Sequence, residues 1–221
     1  MSSRVVITGA NRGIGLELCR HYCQQGTEVY ALCRHSSDEL NKLPVTLIEG
    51  IDIGQPDVIE RLKNALPVES IDILINNAGC WSDETLGSLD YASIERSFSI
   101  NTLGPLRITE ACLDKLHSGS KIAMITSRMG SIADNGSGGR YGYRISKAGL
   151  NAASVSLALD LKPREIAVAI IHPGYVQTDM TSHHGNVTPD QSAAQIAQRI
   201  AELDLNNSGS FWHANGEQLP W

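Results

Sequence analysis

Tyr143 and Lys147 lie four positions apart at the start of a segment with helical periodicity. Residues with this spacing share one face of a helix, so a phenol and an ammonium group are expected side by side. A free phenol has a pKa of about 10, and a nearby cation favours the ionised form, so the pair could exchange protons near neutral pH. Such pairs are also common on protein surfaces, and the interpretation depends on the motifs that precede this one. Tyr141 forms no such pair, because its matching position is Ile145.

A glycine-rich turn follows the first apolar run, Arg4 to Thr8, and opens a helical segment. Its residues are Thr8, Gly9, Ala10, Asn11, Arg12, Gly13, Ile14 and Gly15. Glycines permit a tight turn and close approach of the backbone to a pyrophosphate, while a helix N-terminus offers unpaired N–H groups and a favourable dipole. This context of strand, turn and helix is what a dinucleotide-binding site requires, with a plain structural turn as the alternative.

Two further motifs follow predicted strands. Asn76-Asn77-Ala78-Gly79 ends the fourth strand, where the small Ala78 and Gly79 would let the backbone lie against a cofactor. Ser127 ends the fifth strand. Ligands of open α/β sheets bind at the carboxyl ends of the strands, so both motifs fall where a site is expected. Taken alone, the first of them could be an ordinary polar turn.

The elements that position these motifs are short apolar runs that alternate with helix-period segments. The predicted strands are Arg4–Thr8, Glu28–Cys33, Val45–Ile51, Ile71–Asn76, Lys121–Ser127, Ile166–Ile171 and Ser210–His213. The predicted helices are Ile14–Gln25, Pro56–Leu66, Tyr91–Leu116, Tyr141–Leu161 and Pro189–Leu203. Strict alternation predicts an α/β fold of the doubly wound Rossmann type, a parallel sheet of about seven strands with helices on both faces. We expect a single domain over residues 1–221, with a cofactor half near 1–120 and a catalytic and substrate half near 121–221.

Composition and charge exclude several classes of protein. The 221 residues are 42% hydrophobic and 19% charged, with a formal net charge of −6, so no nucleic-acid partner is expected. The longest apolar stretch, Ile166–Ile171, is far below the ~18 residues of a membrane span. Five cysteines, with Cys19 and Cys23 one helical turn apart, fit a reducing, cytoplasmic location better than a disulfide framework. His183 and His184 are adjacent, which points their side chains apart, so no metal site is expected.

The order of these motifs resembles that of the short-chain dehydrogenase/reductase (SDR) family over nearly the whole chain. The pattern comprises T-G-x-x-x-G-x-G, N-N-A-G, an asparagine, a serine, Y-x-x-x-K and then Pro173-Gly174. The ending, from Ser208-Gly209-Ser210-Phe211 to Pro220-Trp221, is similar to that of the C-factor and sniffer-like carbonyl reductase branch. The resemblance implies an NADPH-dependent reductase of small or hydrophobic aldehydes, ketones or quinones. It also implies a homo-oligomer, with a dimer expected through the two long helices.

The resemblance assigns catalytic roles to Asn101, Ser127, Tyr143 and Lys147. Tyr143 would exchange a proton with the substrate oxygen, Lys147 would favour its phenolate and hold the nicotinamide ribose, and Ser127 would donate a hydrogen bond to the carbonyl oxygen. Asn101 would hold a water that relays protons to Lys147. Pro105 lacks an N–H, which in a helix leaves the Asn101 carbonyl without its usual donor and bends the axis. A kink made only for packing is the alternative.

The resemblance also implies a set of cofactor-binding residues spread along the chain. They are Gly9, Asn11, Arg12, Gly13, Ile14, Gly15, Arg34, Asp52, Ile53, Asn77, Ala78, Gly79, Tyr143, Lys147, Pro173, Val176 and Thr178. Asp52 would contact the adenine, and Val176 and Thr178 the nicotinamide carboxamide. NADPH is expected over NADH, because Arg34 stands where NAD-binding relatives carry an acidic residue and Arg12 can reach the same ribose corner. Solvated surface charges are the alternative.

Fewer residues describe the substrate side. Candidate lining residues are Trp81, Met129, Tyr175 and Met180, with plain core as the alternative. Residues 176–188 are few for a substrate lid, so an open or shallow pocket is expected. A nucleotide-binding sensor without turnover, and an alcohol, steroid or acyl dehydrogenase of the same family, remain as alternatives to the reductase.

Overall fold

Seven parallel strands form one sheet in the computed structural model, which describes residues 3–221. Along the chain they are β1 (Arg4–Thr8), β2 (Glu28–Leu32), β3 (Thr46–Ile48), β4 (Ile71–Asn76), β5 (Leu116–Ile125), β6 (Ala167–His172) and β7 (Phe211–His213). Their order in the sheet is β3-β2-β1-β4-β5-β6-β7, and every neighbouring pair is parallel. The order reverses between β1 and β4, so the crevice at the carboxyl ends of these strands is where an open α/β sheet binds its ligand.

Helices cover both faces of the sheet, which confirms the predicted doubly wound fold. They are α1 (Gly13–Gln24), α2 (Asp38–Asn41), α3 (Val58–Ala65), α4 (Tyr91–Phe98), α5 (Gly104–Cys112), α6 (Tyr141–Leu161) and α7 (Pro189–Ala201). Val5 and Ile7 of β1 pack in one core cluster with α1 and α7, whereas Val6 packs in another with α3, α5 and α6. All three side chains are fully buried, and burial of one such side chain contributes about 1.5–3 kcal/mol. Burial on both faces is why the strands are continuous apolar runs.

A π-helical turn, Ser99–Leu103, separates α4 from α5 and interrupts the single helix predicted for Tyr91–Leu116. At its end the N–H of Gly104 donates to the carbonyl five residues earlier. Pro105 has no N–H to contribute to the helical ladder, and the chain accommodates the missing donor in one wide turn. The irregularity predicted from Pro105 therefore falls on the turn that carries Asn101.

Two strands, β3 and β5, differ most in length from the predictions, while β2 and β7 are each one residue shorter. β5 begins earlier, at Leu116, which pairs with Ile71 across a shift in register. β3 ends at Ile48, after which Gly50 adopts a φ of +74° and its N–H donates to the carbonyl of Arg34. The start of β5 is set by pairing with β4, and the end of β3 by a turn bound to the segment after β2. Local hydrophobic periodicity records neither contact.

None of the helices formed by residues 3–221 is both long enough and apolar enough to span a membrane. Over the same residues, the His, Cys, Asp and Glu side chains form no group of three or more suited to a metal ion. The five cysteines are all free thiols.

Candidate active site

The glycine turn packs directly against the Asn-Asn-Ala-Gly motif. Gly9 has a φ of +67°, and a Cβ atom there would lie 2.9 Å from the Cα of Ala78. A Cβ atom at Gly15 would lie 2.1 Å from the carbonyl oxygen of Gly9. Neither position has room for a side chain, so backbone meets backbone where β1 turns into α1 beside the end of β4.

Thr8, the last residue of β1, holds the turn and the motif together. Its Oγ1 accepts hydrogen bonds of 3.0 Å from the N–H groups of Asn77 and Ala78. The side chain of Asn77 in turn donates to the Thr8 carbonyl at 3.0 Å. Because Thr8 is buried, these bonds are shielded from water, and the ends of β1 and β4 form one rigid floor at the switch point.

The N-terminus of α1 is open to an anionic group. Arg12 precedes the helix without a side-chain cap, and the first turn has no acidic residue. The unpaired N–H groups and the helix dipole favour a phosphate at this end. Thr178 faces it from the other side, since a Cβ atom at Gly13 would lie 3.3 Å from the Thr178 methyl group. The glycine turn therefore fits the pyrophosphate of a dinucleotide.

The loop after β2 lies beside the same turn. The Asn11 side chain donates to the His35 carbonyl at 2.9 Å, and the Ser37 hydroxyl donates to the Asn11 carbonyl at 2.7 Å. Arg34, directly before this loop, is exposed. A cation thus stands at the corner where the sequence predicts the ribose of the adenosine.

Arg12 forms an ion pair that the sequence did not predict. Its Nη1 lies 2.9 Å from Oδ2 of Asp179, in the segment after β6. The other carboxylate oxygen of Asp179 lies 3.3 Å from Nε2 of His183. The Arg12 side chain stays 67% exposed in this ion pair, and Arg34 is exposed as well, so both cations predicted for the ribose corner lie at the surface.

Asp52 and Ile53 lie beyond the end of β3. Oδ1 of Asp52 accepts a 3.0 Å hydrogen bond from the N–H of Gly54. Ile53 is buried, and its Cδ1 would lie only 2.8 Å from a Cβ atom at Gly104. The Ile53 side chain therefore belongs to the core, so only its backbone is available for the predicted cofactor contact, while Asp52 is half-buried.

Tyr143 and Lys147 are both buried in the first turns of α6. Nζ of Lys147 lies 5.8 Å from the centre of the Tyr143 ring. Burial raises the pKa of Tyr143 to about 12, although a hydrogen bond with Ser127 acts to lower it. Burial also lowers the pKa of Lys147 to about 8, because the ammonium form is poorly solvated. At neutral pH the phenol is therefore protonated and the lysine still carries its charge.

Ser127 lies just beyond β5, at the start of a short 3₁₀ turn. Its Oγ accepts a 3.1 Å hydrogen bond from the N–H of Met129. A Cβ atom at Gly130 would lie 2.7 Å from the carbonyl carbon of Lys147, so this turn packs tightly on α6. The close packing brings the Ser127 hydroxyl to the phenol of Tyr143.

The side chain of Asn101 is fully buried and bound on two sides. It holds Cys80 by both backbone groups, since Oδ1 accepts from the N–H at 2.8 Å and Nδ2 donates to the carbonyl at 2.9 Å. Nδ2 also donates to Oγ of Ser146 at 3.0 Å, and that hydroxyl donates to the Tyr143 carbonyl at 2.8 Å. Sequence reasoning missed Cys80 and Ser146. The position of Ser146 inside the Tyr-x-x-x-Lys motif was the one sequence signal that could have indicated its role.

The four candidate lining residues are not equally close to the chemistry. The Trp81 ring lies 4.6 Å from the Tyr143 ring at an interplanar angle of 46°, and Trp81 remains 39% exposed. Met129 is half-buried next to Ser127. Tyr175 and Met180 are exposed on the segment after β6. The structure thus brings Trp81 to the phenol of Tyr143.

The segment after β6 is anchored to the rest of the domain. The Pro173 carbonyl accepts a 2.8 Å hydrogen bond from the Ser192 hydroxyl of α7. Val176 is buried and forms a parallel bridge with Val187. Thr178 caps the short 3₁₀ turn that follows. The backbone predicted to hold the nicotinamide is therefore preset next to the glycine turn.

His172, at the end of β6, is a half-buried polar residue that sequence reasoning missed. Its ring meets His213 edge to face at a centroid distance of 4.9 Å. Burial, followed by the neighbouring His213, Arg128 and Lys147, lowers the pKa of His172 to about 3. Its Nδ1 is buried without a hydrogen-bond partner among residues 3–221. The imidazole is therefore neutral at physiological pH.

The same motifs recur in known sequences. The profile of the family described as short chain dehydrogenase matches residues 3–188. The chain is 38% identical over 226 residues to the 1-hydroxy-2-glutathionyl-2-methyl-3-butene dehydrogenase of Rhodococcus sp. (strain AD45), which covers 99% of this chain and 100% of the relative. It is 44% identical over 156 residues to C-signal of Myxococcus xanthus, in an alignment that covers 68% of this chain and 93% of the relative.

Solved structures share the fold over the full chain. The NADPH-bound carbonyl reductase from chicken fatty liver has a TM-score of 0.91 at 27% identity, covering 100% of this chain and 99% of its own. The carbonyl reductase Sniffer of D. melanogaster has a TM-score of 0.88 at 29% identity, with 100% of both chains covered. A carbonyl reductase from Pseudomonas aeruginosa PAO1 in complex with NADP has a TM-score of 0.87 at 28% identity, again with both chains covered completely.

Proposed function

Because the chain belongs to the short-chain dehydrogenase family, and is thus an oxidoreductase, we propose that it is an NADPH-dependent reductase of small or hydrophobic aldehydes, ketones or quinones. One observation carries the proposal. The buried Tyr143, Lys147 and Ser127 meet at the carboxyl ends of the strands, beside a glycine turn that fits a pyrophosphate. The carbonyl reductases from chicken fatty liver and Pseudomonas aeruginosa have the same fold with NADPH or NADP bound.

In the proposed reaction, NADPH would supply a hydride when bound, and the chain supplies the proton. Tyr143 gives its hydroxyl proton to the substrate oxygen. The phenol carries this proton at neutral pH because burial raises the pKa of Tyr143 to about 12. Ser127 donates a hydrogen bond as negative charge develops on that oxygen. The Lys147 ammonium, 5.8 Å from the phenol ring, lowers the cost of the phenolate left behind.

Asn101 supports Tyr143 and Lys147 indirectly. Its buried side chain connects the Cys80 backbone to Ser146 on α6, so it aligns the strand-end motif with the catalytic helix. Pro105 cannot donate a hydrogen bond to the Asn101 carbonyl. That carbonyl is the candidate ligand of a water that relays a proton through Lys147 to the Tyr143 phenolate.

The cofactor residues support NADPH over NADH. The glycine turn, from Gly9 to Gly15, and the Asn77-Ala78-Gly79 motif would hold the pyrophosphate and adenosine, and Asp52 would contact the adenine. Val176 and Thr178 would hold the nicotinamide carboxamide. The exposed Arg34 offers a forked donor to a 2′-phosphate, which a neutral ribose hydroxyl could not use as well.

A second candidate function is the reverse reaction, the oxidation of an alcohol. The relative from Rhodococcus, similar over its complete length, is named as a dehydrogenase of an alcohol with a glutathionyl substituent. Tyr175 and Met180 are exposed after β6, so their side chains are free to contact a large polar substituent. We further propose that the protein is cytoplasmic and forms a dimer.

The deciding experiment follows the NADPH absorbance band with a panel of quinones, aldehydes and ketones, and NADP⁺ reduction with matched alcohols, including a glutathione thioether. A kcat/KM for carbonyl reduction at least tenfold above that for oxidation of the alcohols supports the reductase, and the opposite ratio supports the dehydrogenase. Tight cofactor binding without turnover of any compound would overturn both and favour a nucleotide-binding sensor.

A further inference from the structure

We propose that Glu84 is a positioning residue, whose carboxylate caps the catalytic helix from outside and thereby holds Trp81 against Tyr143. This inference rests on the proposed function, because it concerns how that site is held ready. Glu84 lies in the loop between β4 and α4, distant in sequence from α6, and it is only 5% exposed.

The catalytic helix lacks a cap of its own. α6 follows Arg140, which has a φ of +53° and makes no side-chain cap hydrogen bond. Its first turn contains no acidic residue. A buried helix end leaves unpaired N–H groups and the positive end of the helix dipole, and both favour a nearby anion.

Glu84 supplies what the helix lacks. Its Oε2 accepts a 2.9 Å hydrogen bond from the N–H of Gly142, and its carbonyl accepts one of 2.8 Å from the N–H of Arg140. Burial acts to raise the pKa of Glu84, but hydrogen bonds led by that from Gly142 outweigh it, and the pKa lies below its usual value. The side chain is therefore an anion at neutral pH, fixed at the helix end.

The contact between loop and helix is tight. A Cβ atom at Gly142 would lie 2.6 Å from Oγ of Ser82 and 3.1 Å from Oε1 of Glu84. Residue 142 comes directly before the catalytic tyrosine. The loop can therefore approach the helix only because this position is glycine, and a shift of the loop moves its neighbours against Tyr143.

The same loop carries Trp81. The Trp81 ring lies 4.6 Å from the Tyr143 ring, and the guanidinium of Arg140 lies 5.8 Å from the centre of the Trp81 ring. Arg140 also pairs with Asp83 at 3.5 Å. Residues 81–84 are thus attached to the start of α6 by a carboxylate, a backbone hydrogen bond, an ion pair and an aromatic contact. Of these four, the carboxylate of Glu84 is the most buried polar attachment, so we expect it to dominate.

The test is a double-mutant cycle between Glu84→Ala and Trp81→Ala. Glu84→Ala should lower kcat for a carbonyl substrate by tenfold or more and change the NADPH dissociation constant by less than twofold. In the Trp81→Ala background the same substitution should cost less than threefold, because the two residues act through one contact. Glu84→Gln, which keeps an acceptor oxygen for Gly142, should recover most of the lost kcat. Glu95→Ala, an exposed carboxylate on α4, is the matched control and should leave kcat unchanged.

Trp81 fluorescence gives a readout that does not require turnover. Its emission is taken as the difference between each protein and the same protein carrying Trp81→Phe. Glu84→Ala should shift this emission to the red and increase its quenching by acrylamide, while Glu84→Gln should not. A kcat of Glu84→Ala within twofold of wild type, additive losses in the cycle, or unchanged Trp81 emission would overturn the inference. If wild type turns over no carbonyl or alcohol, the proposed function fails, and the emission alone decides the role of Glu84.

Discussion

Nζ of Lys147 donates a 2.9 Å hydrogen bond to the carbonyl oxygen of Ile125, the last residue of β5. The bond fixes the ammonium group of α6 at the carboxyl end of the sheet, next to Ser127. One carbonyl partner replaces only part of the water that burial removes, which is why the pKa of Lys147 falls to about 8. The proton chemistry of the site is therefore sensitive to mildly alkaline pH.

The pH dependence of carbonyl reduction should reflect this lysine. As the pH rises through about 8, Lys147 loses its proton and no longer stabilises the phenolate of Tyr143. The value of kcat/KM should fall there, while Tyr143, with a pKa of about 12, remains protonated. In Lys147→Arg the guanidinium stays charged, so the alkaline decline should move to higher pH even if the maximum rate is lower. A wild-type profile that stays flat across this pKa contradicts the assignment.

Tyr143→Phe should lower turnover by about 10²- to 10⁴-fold, because it removes only the group that carries the proton. NADPH binding should survive, since the ring still packs against Trp81. Steady-state rates and a fluorescence titration of NADPH measure the two effects. Tyr141→Phe is the matched control, two residues earlier and without the lysine partner, and should keep its activity. A Tyr143→Phe rate within a few fold of wild type would rule out this mechanism.

Arg34→Asp should weaken NADPH binding by about ten- to a hundredfold, the effect of losing one charge-assisted contact of roughly 1.5 to 3 kcal/mol. NADH binding should change little or improve, because an acidic residue accepts the ribose hydroxyl. Dissociation constants for both nucleotides, in wild type and in the variant, give the ratio. Lys63→Asp, at an exposed position of α3, controls for the change in net charge. Equal wild-type affinities for the two nucleotides would refute the predicted preference.

Acid should destabilise the protein through His172. Its folded pKa of about 3 lies below the ordinary value of 6.5. Between these values the unfolded chain binds a proton that the folded chain does not, so the free energy of unfolding falls as the pH drops through this range. His172→Gln should flatten that dependence by about one proton. Urea unfolding at several pH values measures it, and the exposed His184→Gln should retain the wild-type slope. An identical slope in His172→Gln would show that another group is responsible.

A dimer should form through the exposed side of α6. Two other apolar side chains of α6 are not available to a partner, because Leu150 is buried in the core of its own domain and Val155 packs against another core cluster. Leu159 is 67% exposed and is the side chain left for a partner. We expect a dimeric mass in light scattering at micromolar concentration, and a monomer in Leu159→Glu. A wild-type monomer would contradict the prediction, and Ile132→Glu, on an exposed loop, should remain dimeric.

Much of the site could be predicted from local sequence. The spacing of Tyr143 and Lys147 places both on one face of α6 whatever surrounds them, because a helix has a fixed period. The glycine turn likewise requires only its own backbone angles and the strand and helix that flank it. Alternating apolar runs predicted the parallel sheet, since a strand buried on both faces must be apolar throughout.

Contacts between distant segments could not be predicted in this way. Arg12 pairs with Asp179, the Ile53 side chain turns into the core against Gly104, and Glu84 caps α6 at Gly142. Each contact depends on the path of a loop and on the register of strands far apart in the chain, and hydrophobic periodicity encodes neither. The same holds for the pKa values of Tyr143 and Lys147, because the burial that shifts them exists only once β5, α6 and the π-helical turn are packed together.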